Sequence, residues 1–106
     1  MKVIFVEPYK EPISLNIDNT LFAKQKLVGG PIDILEFSDD NVVIVLNDEG
    51  KNDGLPINRS VNNHIIYGSF LICGCDNEGN FLDLSIEQVD YFSKIFSLST
   101  KDSKLC

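Results

Sequence analysis

Tryptophan is missing from this chain, and arginine and histidine occur once each, at Arg59 and His64. Each shortage excludes something. A lone histidine cannot form the paired-His helix motif of zinc hydrolases. As a general base, His64 has Ser60 and Tyr67 near it in sequence but no identifiable nucleophile or substrate. The three cysteines, Cys73, Cys75 and Cys106, are an odd set without framework spacing. Cys73 and Cys75 stand two apart in an apolar segment, on one face of a strand, where disulfide geometry is poor. No second cysteine pair follows, so a structural zinc site lacks its ligands. They are expected to be reduced thiols in or just below the core of a cytoplasmic protein.

Long hydrophobic runs are also absent. The first, Val3 to Val6, is far too short for a signal peptide or a membrane helix. Basic residues are scarce, nine against 16 acidic ones, for a formal charge of -7. Asp33 to Asp53 holds seven acidic residues and one lysine, and Asp76 to Asp90 holds five with no basic residue. Such a surface repels a phosphate backbone, which excludes DNA or RNA binding through a basic face. Plain solubility and an acidic face for a basic protein partner both remain open.

No catalytic signature is present. There is no G-x-S-x-G, no phosphate-binding P-loop, and Gly29-Gly30 is too sparse for a dinucleotide fingerprint. A calcium loop over Asn47 to Gly54 fails because Lys51 falls where a ligand belongs. Neither enzyme activity nor a cofactor or metal is therefore expected.

What is present suffices for one domain over residues 1–96, with 97–106 as a polar tail. Apolar residues make up 43% of the chain and include seven phenylalanines. Val3 to Val6 reads as a strand closed at Glu7-Pro8, and Ile13 to Ile17 alternates like a half-buried strand paired with it. Asp18 or Asn19 would cap a helix to about Val28, with Ile17 and Phe22 at the spacing of a hydrophobic staple. Gly29-Gly30-Pro31 ends that helix. Ile32 to Phe37 and Val42 to Leu46 form a hairpin through Ser38 to Asn41, and the second of them is apolar on both faces and so central. Val61 to His64 is ambiguous. Ile65 to Cys75 reads as one long strand with a bulge at Gly68. Ser85 and Gln88 form a capping box ahead of a helix to about Phe96, with Val89, Phe92 and Phe96 on one face. The expected fold is α+β, a small, mostly antiparallel sheet with both helices on one face. Phe22, Leu27, Val89 and Phe92 should then be nearly buried. The other sheet face, left bare, would favour a homo-oligomer.

The richest polar stretch is Asn47 to Arg59, NDEGKNDGLPINR. Loops held by a rigid scaffold are where binding commonly lives. The Arg59 guanidinium suits a phosphate or carboxylate, Lys51 adds a point charge and Asn58 an amide. Gly50 and Gly54, with Gly29 and Gly30, would present backbone N–H groups to an anion, and Tyr67 or Phe70 would stack on a base. The competing reading pairs Arg59 with Asp48, Glu49 or Asp53 to hold the loop shut.

The segments VIFVEP, LVGGPI, LNDEGKNDGLPINR, IYGSFLICG and FLDLSIEQV occur in the order of a known family. Together they make residues 1 to about 96 resemble domain of unknown function 3846, a family of small proteins of phages, plasmids and integrated elements. The matching positions include Gly29, Gly30, Asn47, Lys51, Gly54, Asn58, Arg59 and Gly68. The resemblance brings no catalytic residues. It implies an accessory protein of a mobile element, acting in a host cytoplasm against host defence. Two forms of that are expected. One is a sponge holding a nucleotide-like immune signal through Lys51, Gly54, Asn58, Arg59, Gly29, Gly30 and Tyr67. The alternative is an acidic inhibitor that blocks a basic host defence or restriction enzyme.

Overall fold

The computed structural model describes residues 1–36 and 41–98. Strands β1 (Lys2–Val6), β2 (Ile13–Asn16), β3 (Ile32–Glu36), β4 (Val42–Asn47), β7 (Phe70–Cys75) and β8 (Phe81–Leu82) form one sheet, and β5 (Ile57–Val61) and β6 (His64–Tyr67) form a small second one. The helices are α1 (Leu21–Val28) and α2 (Ile86–Ile95). Along the main sheet the order is β2-β1-β7-β4-β3, with β8 added to β7, and every pairing is antiparallel. This is an α+β fold.

The period of two in β1, β4 and β7 decides the layers. Ile4, Ile44 and Ile72 lie in register across these strands. Together with Val6, Val42 and Phe70 they face α2, through Phe92 and Phe96, and the β5–β6 hairpin, through Val61 and Ile66. Their neighbours Val3, Val43, Val45, Leu71 and Cys73 face the other way, against Val28 of α1. Strands apolar on both faces need cover on both. The helices accordingly lie on opposite faces of the sheet, and the expectation of one shared face is corrected. Each fully buried Val, Ile or Phe here contributes about 1.5–3 kcal/mol.

Two boundaries also differ from expectation. Helix α1 is capped by Thr20, whose side chain accepts from the Ala23 N–H, and it ends at Gly29 in the left-handed region at φ 86°. With that cap the residue before it is Asn19 and the fourth helical position is Lys24. The staple is therefore polar: Lys24 Nζ donates to Asn19 Oδ1 at 2.8 Å. Lys24 and Val28, one turn apart, face the sheet, while Phe22, some 200° round the helix from Lys24, is 74% exposed. Of the residues expected in the core, Phe92 is buried and Leu27 and Val89 are half-buried. In α2 the Ser85–Gln88 capping box forms as read.

The segment from Ile65 to Cys75 is not one strand. Gly68, at φ 82°, turns the chain out of the small sheet and into the large one. A Cβ there would stand 2.7 Å from Leu55 Cδ1, and its N–H donates to the Pro56 carbonyl at 2.7 Å. Asn62 and Asn63, both at positive φ, close β5–β6 as a two-residue turn of the primed kind. This resolves the ambiguous Val61–His64.

Candidate functional site

Asn47, the last residue of β4 and only 4% exposed, anchors the start of the polar loop. Its Nδ2 donates to the Val28 carbonyl at 3.2 Å, and its Oδ1 accepts from the Glu49 N–H at 2.8 Å. The loop then closes on itself, with Asp53 N–H to Glu49 O and Leu55 N–H to Gly50 O. Gly50 is needed for close approach, since a Cβ at this position would meet the Tyr67 carbonyl oxygen at 2.6 Å. The loop therefore packs tightly against the end of β6.

The structure places Arg59 in β5, beside a register shift between Ile57 and Ser60. Its guanidinium turns inward. Nε and Nη2 donate to the Phe96 carbonyl at 3.1 and 2.7 Å, and Nη2 also to the Lys10 carbonyl at 2.8 Å. Nη1 donates to Glu7 O at 3.4 Å and to Asn58 Oδ1 at 2.8 Å. A guanidinium has five N–H donors, and all of them are used. Burial lowers the Arg59 pKa from its ordinary value, opposed by the nearby Glu11 carboxylate. Arg59 thus ties the end of α2 to the β1–β2 turn, with its charge at the negative end of the helix. Neither a phosphate clamp nor a bridge to Asp48, Glu49 or Asp53 matches this geometry. Among the described residues the ion pairs are Lys10–Glu7 and Lys94–Asp90.

The other expected donors are also engaged. Asn58 Nδ2 donates to the Val6 and Gly68 carbonyls, both at 2.9 Å. The N–H groups of Gly29 and Gly30 both reach Gln25 O, that of Gly50 reaches Asn47 O, and that of Gly54 reaches Lys51 O. Gly29 and Gly30 stand beside the Asn47 side chain, whereas Asn58 and Arg59 face β1, the β1–β2 turn and the end of α2. The structure does not bring them together around a common space. Lys51 remains, exposed at the loop tip, and Tyr67 is half-buried at the end of β6. His64 opens β6 and is exposed.

Sequence reading missed the buried Lys24, 2% exposed. Its ammonium donates to Asn19 Oδ1 and Thr20 O and lies 4.4 Å from the centroid of the Phe81 ring. Burial lowers its pKa from the ordinary value, and Cys73 opposes that shift. Burial likewise pushes the Cys73 thiol up to about 12, against the pull of Lys24. Cys73 and Cys75 are free thiols. The available signal was the spacing back from the glycine cap, which sets Lys24 one turn before Val28.

The fold and this loop together define a small α+β domain whose glycine-rich stretch is bound into its own frame. The chain belongs to the family described as domain of unknown function DUF3846, whose model matches residues 1–97. No curated protein and no solved structure matches it.

Proposed function

We propose that the chain is a non-enzymatic binding protein that docks a basic protein partner on its acidic surface. One observation carries this reading. The N–H donors that a nucleotide-like ligand would need, on Arg59, Asn58 and the four glycines, are spent on internal acceptors. Asp48, Glu49 and Asp53 stand exposed at the same loop, with only Lys51 to offset them. Releasing the Arg59 donors for an anion would strip the carbonyls of Glu7, Lys10 and Phe96, at a cost no single phosphate contact repays. Carboxylates on a rigid loop suit charge-steered docking instead. Asp39 and Asp40, expected to join that acidic face, lie outside the described residues. In the mobile-element setting that the family resemblance implies, the partner would be a host defence or restriction enzyme met in the cytoplasm and blocked by occupation of its basic face.

Capture on immobilised protein from a defence-proficient host lysate tests this. The expected result is a basic protein released between about 0.1 and 1 M salt, as the screening length falls from ~10 to ~3 Å. The variant carrying Asp48→Lys, Glu49→Lys and Asp53→Lys should lose it. Capture unchanged by salt and by that variant would overturn the reading, as would a nucleotide copurifying with the protein and lost on Lys51→Ala.

A further inference from the structure

The two edges of the main sheet differ. At one, β3 carries Asp33 and Glu36, charges that discourage another strand from pairing. At the other, β2 reads Ile13-Ser14-Leu15-Asn16, with no charge and no proline. Its outer backbone is open. Met1 and Ile17 exchange both of their backbone hydrogen bonds, so Val3–Leu15 and Phe5–Ile13 are the bonded pairs further along the β1–β2 ladder. The N–H and C=O groups of Ser14 and Asn16 therefore point away from β1, off the sheet, and both residues are exposed. No described residue supplies a backbone partner for them.

The same edge runs beside a recess. A pocket of about 290 Å³ lies between α2 and the start of β1, lined by Ile86, Val89, Asp90, Ser93 and Lys2. Ile86 is 78% exposed, so this apolar wall is uncovered. Lys2 is in register with Asn16 and Ile4 with Ser14, and Ile4 faces α2. The period of two then puts the side chains of Lys2, Ser14 and Asn16 on the α2 side as well. The charges at the recess are unequal. Asp90 pairs with Lys94 Nζ at 3.1 Å, while Lys2 has no ion pair among the described residues. An unpaired ammonium beside an apolar wall favours an acidic group and disfavours a basic one.

From the open edge and the recess together we infer that β2 takes an extended segment of a protein partner as an added strand. An apolar side chain of that segment fills the recess against Ile86 and Val89, and an Asp or Glu two residues along, on the same face, meets Lys2. An outward row of N–H and C=O groups is matched by an extended backbone, and pockets for alternate side chains then set the specificity. The recess lies below the range of about 300–1,000 Å³ typical of drug-sized ligand sites, which is the size for one side chain. None of these residues belongs to the acidic loop, so the added strand stands whether or not that loop docks a basic partner.

The probe is the acetylated and amidated pentapeptide Thr-Leu-Thr-Glu-Thr, titrated into the full ¹⁵N-labelled chain. It should shift the amides of Ser14, Asn16, Val89 and Ser93 with a millimolar dissociation constant. A strand turns its N–H groups alternately toward and away from its neighbour. Of two N-methylated forms, one at the odd residues and one at the even, a single one should therefore bind at least about fivefold more weakly. Lysine in place of the glutamate should weaken binding about threefold at low salt. Asn16→Pro, which removes an outward N–H and no bond of the ladder, should abolish it. Absence of shifts at these residues, or equal binding by all the peptides, would overturn the added strand. So would a dimer of the unaltered chain joined through Ser14 and Asn16, which would make a second copy the occupant. If Asn16→Pro does not fold, the N-methyl comparison on the unaltered chain still decides.

Discussion

A methyl group at position 50 would sit 2.6 Å from the Tyr67 carbonyl oxygen and 3.2 Å from Tyr67 Cβ. Neither neighbour is a flexible chain end, so Gly50→Ala should cost about 3 kcal/mol, the upper range for overpacking. Gly54 faces open space but has φ 71°, and Gly54→Ala should cost only about 1 kcal/mol. Urea unfolding of the two variants checks the order. Cys73 makes a pH prediction at the same scale. Its thiol is raised from 9.0 to about 12 by burial. An unfolded chain gives up this proton first, so between those two values it binds fewer protons than the native state. Stability then falls as pH rises. The full contribution is present below pH 9 and is lost at up to about 1.4 kcal/mol per pH unit above it. Between pH 8 and 10.5 the unaltered chain should lose about 2 kcal/mol more than Cys73→Val, measured by denaturant melts.

At the scale of elements, Arg59 matters more than any contact inside one element. It joins β5 to the β1–β2 turn and to the carbonyl of Phe96, the C-cap of α2. Lysine has three donors on a flexible stem and cannot reproduce the planar fork. Arg59→Lys should therefore destabilise the chain by about 2–3 kcal/mol, since part-buried carbonyls lose their partners. Hydrogen exchange should show the loss first in α2 and in the turn at Glu7 to Lys10. Protection that drops evenly over the sheet would contradict the assigned role. Element boundaries followed similar long-range logic. The break at Gly68 comes from the approach of Leu55, and the outward turn of Phe22 from the seating of Lys24 and Val28 against the sheet.

For the whole molecule, self-association was expected from a bare sheet face. Both faces are covered, one by α1 and the other by α2 and the β5–β6 hairpin. The net charge of -7 adds self-repulsion. The edge strand β3 is guarded too: the Ile34 N–H is taken by the Asp33 carboxylate at 2.8 Å, which sets a charge on the strand where another chain would pair. Sedimentation equilibrium at micromolar concentration should give a single 11.9 kDa species, and Asp33→Ala should shift it toward dimer. A dimer of the unaltered chain would show that another surface is in play. Among the described residues no helix is long and apolar enough to cross a membrane.

Elements governed by near neighbours were legible along the chain. The β1–β2 and β3–β4 pairings follow from short apolar or alternating runs separated by turn-forming residues, the start of α2 from the Ser85–Gln88 box, and the end of α1 from Gly29. The acidic character and the free thiols were legible for the same reason, since both are local properties. Which face each helix covers is a matter of long-range packing, because β1, β4 and β7 are apolar on both sides and alternation cannot assign a layer to either helix. Long-range packing also decided the fate of the polar loop. The acceptors of Arg59 lie 37 to 52 residues away, at Phe96, Glu7 and Lys10, and those of Asn58 at Val6 and Gly68. A guanidinium reads the same in sequence whether it awaits a phosphate or already holds carbonyls; packing alone brings those carbonyls within reach.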